Sequence, residues 1–184
     1  TRRLQLAFQL KNLVLAQIWD IDRNDQIGIL GSRKFERHVF KHYCVQKRPE
    51  SPTKYDKLIS LAAHTDLDEA LNQVKIDGLV AVEVSILNDR SSTVAWYKAL
   101  TAQYCGQQHL AGLTMTSLKS AFNFLLQRDI KIESVVDTSF EQANICRESA
   151  NTAATRVHAV CAAWTAVLIV NGEISSYVLI GRKC

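Results

Sequence analysis

A run of alternating apolar residues between Ile76 and Leu87 constrains the fold of this chain more than any other segment. Its β-branched residues fall on every second position, at Val80, Val82, Val84 and Ile86. A repeat of two residues is the period of a β-strand, because successive side chains then point to opposite faces of the sheet. The turn-forming pair Asn88-Asp89 follows the run. The segment therefore predicts a strand over residues 76–87.

The remaining elements follow from the two-residue period of strands and the 3.6-residue period of helices. Residues 130–137 form a second β-branched run, and Asn171-Gly172 separates two apolar runs at 164–170 and 173–180, which predicts a β-hairpin. Helical spacing indicates helices over 54–64, 92–104, a segment beginning at Thr116, and 139–157. We expect an α/β fold, with α+β as the alternative. Its mixed sheet is built on residues 76–87, 130–137 and 164–180, ends in a C-terminal hairpin and is flanked by several helices.

The composition indicates one folded domain. The chain has 184 residues, of which 47% are hydrophobic and 22% charged, which excludes a disordered or collagen-like protein. We expect a single domain over residues 1–184, in which residues 1–50 can form a helical extension packed on an α/β body at residues 54–184. Since no apolar run reaches about 18 residues, no membrane-spanning helix is expected.

Positive charge is concentrated in one short stretch. Eight cations and three anions fall between Gly31 and Lys57, so this stretch is more positive than the whole chain, whose net charge is +4. Residues 33–48 read as a basic amphipathic helix, and its binding candidates are Arg33, Lys34, Arg37, Lys41, Lys47 and Arg48. Such a face attracts phosphates. We therefore infer a non-catalytic nucleic-acid-binding domain, with an acidic protein partner, a membrane surface or a merely solvated face as alternatives.

Two carboxylates suggest a catalytic alternative. Glu83 interrupts an apolar strand, and Asp137 stands at the carboxyl end of the next predicted strand. If these strands were neighbours, the two carboxylates could hold Mg²⁺ in a nuclease or another phosphoryl-transfer enzyme. The structural alternatives are that Glu83 faces solvent on an edge strand and that Asp137 caps the following helix.

Other chemistries find less support in the sequence. His38 and His42 lie one helical turn apart, but a zinc site would need a third ligand from Cys44, Asp56 or His64, so no metal site is predicted. No G-x-G motif occurs, which argues against a nucleotide cofactor bound by a glycine-rich loop. We expect no cofactor, or Mg²⁺ under the nuclease alternative.

The cysteines and the first helix bear on location and partners. Five cysteines without a C-x-x-C pair favour an intracellular, reducing compartment. Residues 3–19 form an amphipathic pattern whose wide apolar stripe packs either in the core or against a protein partner. The third hypothesis is therefore an assembly module that recruits other subunits through this helix.

Overall fold

The computed structural model describes residues 25–30, 54–60, 67–104, 110 and 112–184. Six strands are assigned in this part of the chain: β1 (Ile27–Leu30), β2 (Tyr55–Ser60), β3 (Val74–Leu87), β4 (Leu113–Met115), β5 (Ile130–Asp137) and β6 (Ile174–Lys183). The helices here are α1 (Leu67–Asn72), α2 (Ser92–Tyr104), α3 (Leu118–Leu126), α4 (Ser139–Thr152) and α5 (Arg156–Val170). The α/β fold with a mixed sheet is confirmed.

The strands form one sheet in the order β1-β2-β3-β6-β5. β1, β2 and β3 run parallel to one another, whereas β6 is antiparallel to both β3 and β5. The short strand β4 is parallel to β3 and pairs with residues 84–86, beyond the point where β2 ends. β3 is therefore the central strand, with β6 along one edge and β2 followed by β4 along the other.

Helices cover both faces of the sheet. Val80, Val82 and Val84 point to the face that packs against α1 and α3, where Leu71 and Leu125 are fully buried. The opposite side carries a second cluster from α2, α4 and α5, which meets the sheet at Leu87 and Ile174. The central strand is thus buried on both faces, which explains its high content of β-branched residues.

Buried hydroxyl groups join two of the helices on the second face. Tyr97 in α2 is fully buried, and its hydroxyl lies 2.7 Å from Oγ1 of Thr165 in α5. The Thr165 hydroxyl also donates a hydrogen bond to the carbonyl of Cys161, one turn earlier, at 2.8 Å. These bonds satisfy polar groups that would otherwise be costly to bury.

The predicted strands at 76–87 and 130–137 and the helix at 92–104 are confirmed. The helix expected over 54–64 is wrong, because residues 55–60 form β2 between two parallel strands. The hairpin expected from 164–180 is also wrong, because residues 164–170 belong to α5. Asn171 ends that helix, and Gly172 adopts a φ of +76°, so the Asn-Gly pair is a helix terminus instead of a hairpin turn.

The single helix expected over 139–157 is divided into α4 and α5. The helices expected at 3–19 and 33–48 lie outside the described residues, and the one-domain organisation stays a prediction. Cys161 is disulfide-bonded and buried, while Cys146 and Cys184 carry free thiols. The expected reducing compartment also stays a prediction.

Candidate functional site

The carboxyl ends of β1 and β2 lie side by side and form the candidate site. Leu30 pairs with Ser60, and Ser60 pairs with Val82 of β3, so the two strands end in the same row of the sheet. In open α/β sheets, ligands bind in the crevice outside the carboxyl ends of the parallel strands. This edge is therefore the position where the fold itself predicts a ligand.

Ser60 supplies an unsatisfied polar group at this edge. It is the last residue of β2, is 1% exposed, and its Oγ has no hydrogen-bond partner. Its row neighbours Leu30 and Val82 are apolar. A buried hydroxyl without a partner costs on the order of 1–3 kcal/mol, so a ligand that hydrogen-bonds to Ser60 would remove this cost.

Glu83 lies one row beyond the end of β2. It is 1% exposed, in the central strand, and shares its face with Ala81 and Ser85, which are fully buried. Gly112 approaches its backbone so closely that a Cβ at that position would lie 1.9 Å from the Glu83 carbonyl oxygen. The expectation that Glu83 faces solvent on an edge strand is therefore wrong. Its carboxylate is buried on the face of the sheet opposite to the Ser60 side chain.

The structure does not bring Glu83 and Asp137 together. β6 lies between their strands: Glu83 is in register with Val178, whereas Asp137 is in register with Tyr177. Adjacent rows place side chains on opposite faces of the sheet, and two strand spacings separate the backbones by roughly 10 Å. Asp137 Oδ1 instead accepts a hydrogen bond from the Ser139 backbone N–H at 2.9 Å, from a position one residue before Thr138, the N-cap of α4. The two carboxylates cannot share one Mg²⁺ in this arrangement.

The predicted basic helix, residues 33–48, lies wholly outside the described residues. Arg33, Lys34, Arg37, Lys41, Lys47 and Arg48 all lie in the range 31–53, so their placement stays a prediction. Lys57, at the end of the basic stretch, lies in β2, is 9% exposed and forms an ion pair with Asp25. This cation is part of the interior instead of a phosphate-binding surface.

Asp56, which the sequence analysis considered as a zinc ligand, is part of an ion pair at the opposite, amino-terminal end of β2. It accepts hydrogen bonds from the Lys75 ammonium at 2.7 Å and from the Gln26 backbone N–H at 2.8 Å. Burial alone would raise its pKa, but these two hydrogen bonds and the charges of Lys75 and Lys57 outweigh burial and hold the pKa below its usual value. Asp56 therefore stabilises the start of β2.

The described residues contain no candidate metal cluster and no candidate membrane span. Among the described residues, no group of three or more His, Cys, Asp and Glu side chains is arranged to hold a metal ion. His38, His42, Cys44 and His64 lie outside that part of the chain. No helix in the described ranges is both long and apolar enough to cross a bilayer.

Sequence reasoning missed Ser60 because it assigned residues 54–64 to a helix. The signal that could have found it is the run Leu58-Ile59 with a small polar residue directly after it. A short apolar run is also consistent with a buried parallel strand, and ligands of open α/β sheets bind at the carboxyl ends of such strands.

Comparisons with known proteins find similar folds among methyltransferases and cyclopropane synthases. No family model and no curated protein matches the chain. A geranyl diphosphate C-methyltransferase from Streptomyces coelicolor A3(2), solved with Mg²⁺, geranyl diphosphate and S-adenosyl-L-homocysteine, matches with a TM-score of 0.58 and 10% identity over 94% of this chain and 78% of that one. A cyclopropane synthase from Mycobacterium tuberculosis matches with a TM-score of 0.53 and 14% identity over 85% and 69%. A mycolic acid cyclopropane synthase, complexed with S-adenosyl-L-homocysteine and CTAB, gives 0.52 and 11% over 85% and 69%.

These matches correct the functional expectations. The nucleic-acid-binding and nuclease hypotheses are wrong, because the similar structures are methyltransferases and cyclopropane synthases. The expectation of no cofactor, or of Mg²⁺ alone, is wrong for the same reason: similar structures hold S-adenosylmethionine or S-adenosyl-L-homocysteine.

Proposed function

We propose that this chain transfers a methyl group from S-adenosylmethionine, which binds at the carboxyl ends of β1 and β2. The observation that carries the proposal is the buried, unpartnered hydroxyl of Ser60 at this edge. The similar folds of proteins solved with S-adenosyl-L-homocysteine support the choice of ligand. When bound, the cofactor supplies a methyl group made electrophilic by the positive sulfonium sulfur.

The residues at this edge suit such a ligand. The Ser60 hydroxyl can both donate and accept a hydrogen bond, and an adenosyl amino acid offers ribose hydroxyls and a carboxylate as partners. Leu30 and Val82 flank Ser60 in the sheet and make its surroundings apolar. Glu83 lies one row further along, and its side chain points to the opposite face of the sheet from Ser60.

Ligand binding by the full chain tests the proposal directly. We expect S-adenosyl-L-homocysteine to bind in isothermal titration calorimetry and to raise the melting temperature, because a ligand that binds only the folded state stabilises it. Ser60→Ala removes one hydrogen bond to the ligand, so we expect its affinity to fall by roughly 3- to 10-fold. The unliganded variant should be at least as stable as the parent chain, since the deleted hydroxyl has no partner there.

Ser176→Ala provides the matched control. Ser176 is fully buried in β6, and its hydroxyl lies 3.1 Å from that of Thr138. This substitution should lower the stability by about 1 kcal/mol and leave the affinity for S-adenosyl-L-homocysteine unchanged. The proposal fails if neither S-adenosylmethionine nor S-adenosyl-L-homocysteine binds at millimolar concentration, or if the two serine variants change the affinity equally.

A further inference from the structure

α5 lacks a polar face although one of its sides is open to solvent. Between Val157 and Val170 the helix contains no Asp, Glu, Lys or Arg. Its inner side, with Cys161, Thr165 and Leu168, is buried against the rest of the fold. A helix that is apolar all round is normally buried on all sides. The outer side of α5 is therefore a surface that a partner is expected to cover.

The exposed side chains follow a regular seam. Val157, Val160, Trp164 and Val167 are separated by three, four and three residues, and all are between 37% and 50% exposed. This spacing is the a/d repeat that a helix shows when its partner is another helix. Trp96 of α2 widens the seam, because its ring lies 5.4 Å from that of Trp164 in an edge-to-face arrangement.

We propose that a second copy of this chain covers the seam, with the two α5 helices packed antiparallel across a two-fold axis. The seam is free of Asp, Glu, Lys and Arg, so two identical surfaces can meet without like-charge repulsion. The two ends of α5 are also electrostatically complementary. Antiparallel packing places Arg156 of each copy beside the carboxyl end of the partner's α5, where the helix dipole is negative.

The area of the seam fits a reversible dimer. The exposed fractions of Val157, Val160, Trp164, Val167, Val170 and Trp96 correspond to roughly 500 Å² of apolar surface on one copy, the size of the largest apolar patch on a typical monomer, which is often an interaction site. Two copies would bury about 1,000 Å² in all, near the lower limit for a specific interface. We therefore expect a dissociation constant in the micromolar range, on the order of 1–50 µM.

Sedimentation velocity of the full chain over a series of concentrations tests the dimer. We expect a concentration-dependent shift from monomer to dimer. Val160→Lys places a charge from each copy inside the apolar contact and should weaken association by at least about 50-fold. Leu126→Lys is the matched control, because Leu126 is 64% exposed on α3, on the other side of the sheet. This control should leave association unchanged.

A cross-link tests the geometry independently of stability. Ala163 is exposed beside Trp164 near the middle of the seam, so Ala163→Cys, made with Cys184→Ser, should form a disulfide dimer under mild oxidation. Asn123→Cys in the same background, exposed on α3, should not. A chain that stays monomeric at about 200 µM overturns the proposal. So does association that survives Val160→Lys, or association lost only when residues 1–24 are deleted.

Discussion

Gly112 gives the sharpest test of the fold around the candidate site. Its φ is +69°, which an L-residue with a side chain rarely adopts, and a Cβ there would lie 1.9 Å from the carbonyl oxygen of Glu83. That oxygen belongs to the backbone of the central strand and cannot move aside as a flexible side chain could. Gly112→Ala therefore combines a conformational cost of about 1–2 kcal/mol with a steric cost of about 1–3 kcal/mol or more.

Gly172 separates these two costs. It has a similar φ of +76°, but nothing lies within 4 Å of a Cβ built at that position. Gly172→Ala should therefore lower the free energy of unfolding by the conformational cost alone, about 1–2 kcal/mol. Gly112→Ala should lower it by about 2–5 kcal/mol. For a chain of this length the latter corresponds to a fall in melting temperature of roughly 5–20 °C.

Urea denaturation followed by circular dichroism measures both variants against the parent chain. The quantity of interest is the difference between the two alanine variants, since it isolates the contact with Glu83. If Gly112→Ala is no more destabilising than Gly172→Ala, the close approach of Gly112 to β3 is wrong. The placement of β4 beside the end of β2 would then need revision as well.

Further predictions concern titration and packing. Burial raises the pKa of Tyr97 to about 12, against the opposing effect of its hydrogen bond with Thr165. Because this pKa exceeds the ordinary 10.0, the neutral Tyr97 hydroxyl makes its full contribution to the free energy of unfolding below pH 10. That contribution declines as the pH rises towards 12. Absorbance at 295 nm should show one late-ionising tyrosine that Tyr97→Phe removes. The lowered pKa of Asp56 predicts a loss of stability in acid. The ionised carboxylate contributes to the free energy of unfolding above the ordinary pKa of 3.8, and this contribution is lost as the pH falls through the lowered value. Asp56→Asn should flatten the acid limb of a stability–pH curve. Arg128 stacks 3.5 Å from the Phe124 ring centre and pairs with Asp68, so Arg128→Met should cost up to about 1 kcal/mol in thermal melts.

The sequence predicted the elements whose periodicity is unambiguous. The strand at 76–87 and the helix at 92–104 were found because their apolar positions match only one period. The run at 164–170 is apolar on every side, and such a run fits a helix and a strand equally well. Burial by α2 and α4 selected the helix, and this choice depends on contacts with residues distant in sequence.

The candidate site was harder to predict than the fold. The pairing of Glu83 with Asp137 required their strands to be neighbours, but the last strand, β6, inserts between them. Ser60 could be recognised as a candidate only from the structure, in which β2 lies between β1 and β3. Its candidacy rests on the absence of a hydrogen-bond partner, which is a property of the folded arrangement. Neither strand order nor the absence of a partner is encoded in a local pattern of residues.

The position of β6 also bears on how the molecule is assembled during synthesis. β5 contacts the rest of the sheet through β6 among the described strands, although β6 is made more than thirty residues later. In a ribosome-bound chain that stops before Ile174, β5 would have no partner among the described strands, and the edge of β3 that pairs with β6 would be open. Until β6 is inserted, the unpaired edges of β5 and β3 can pair with strands of other molecules, which favours misfolding and aggregation. The described sheet is therefore complete only after β6 has left the exit tunnel.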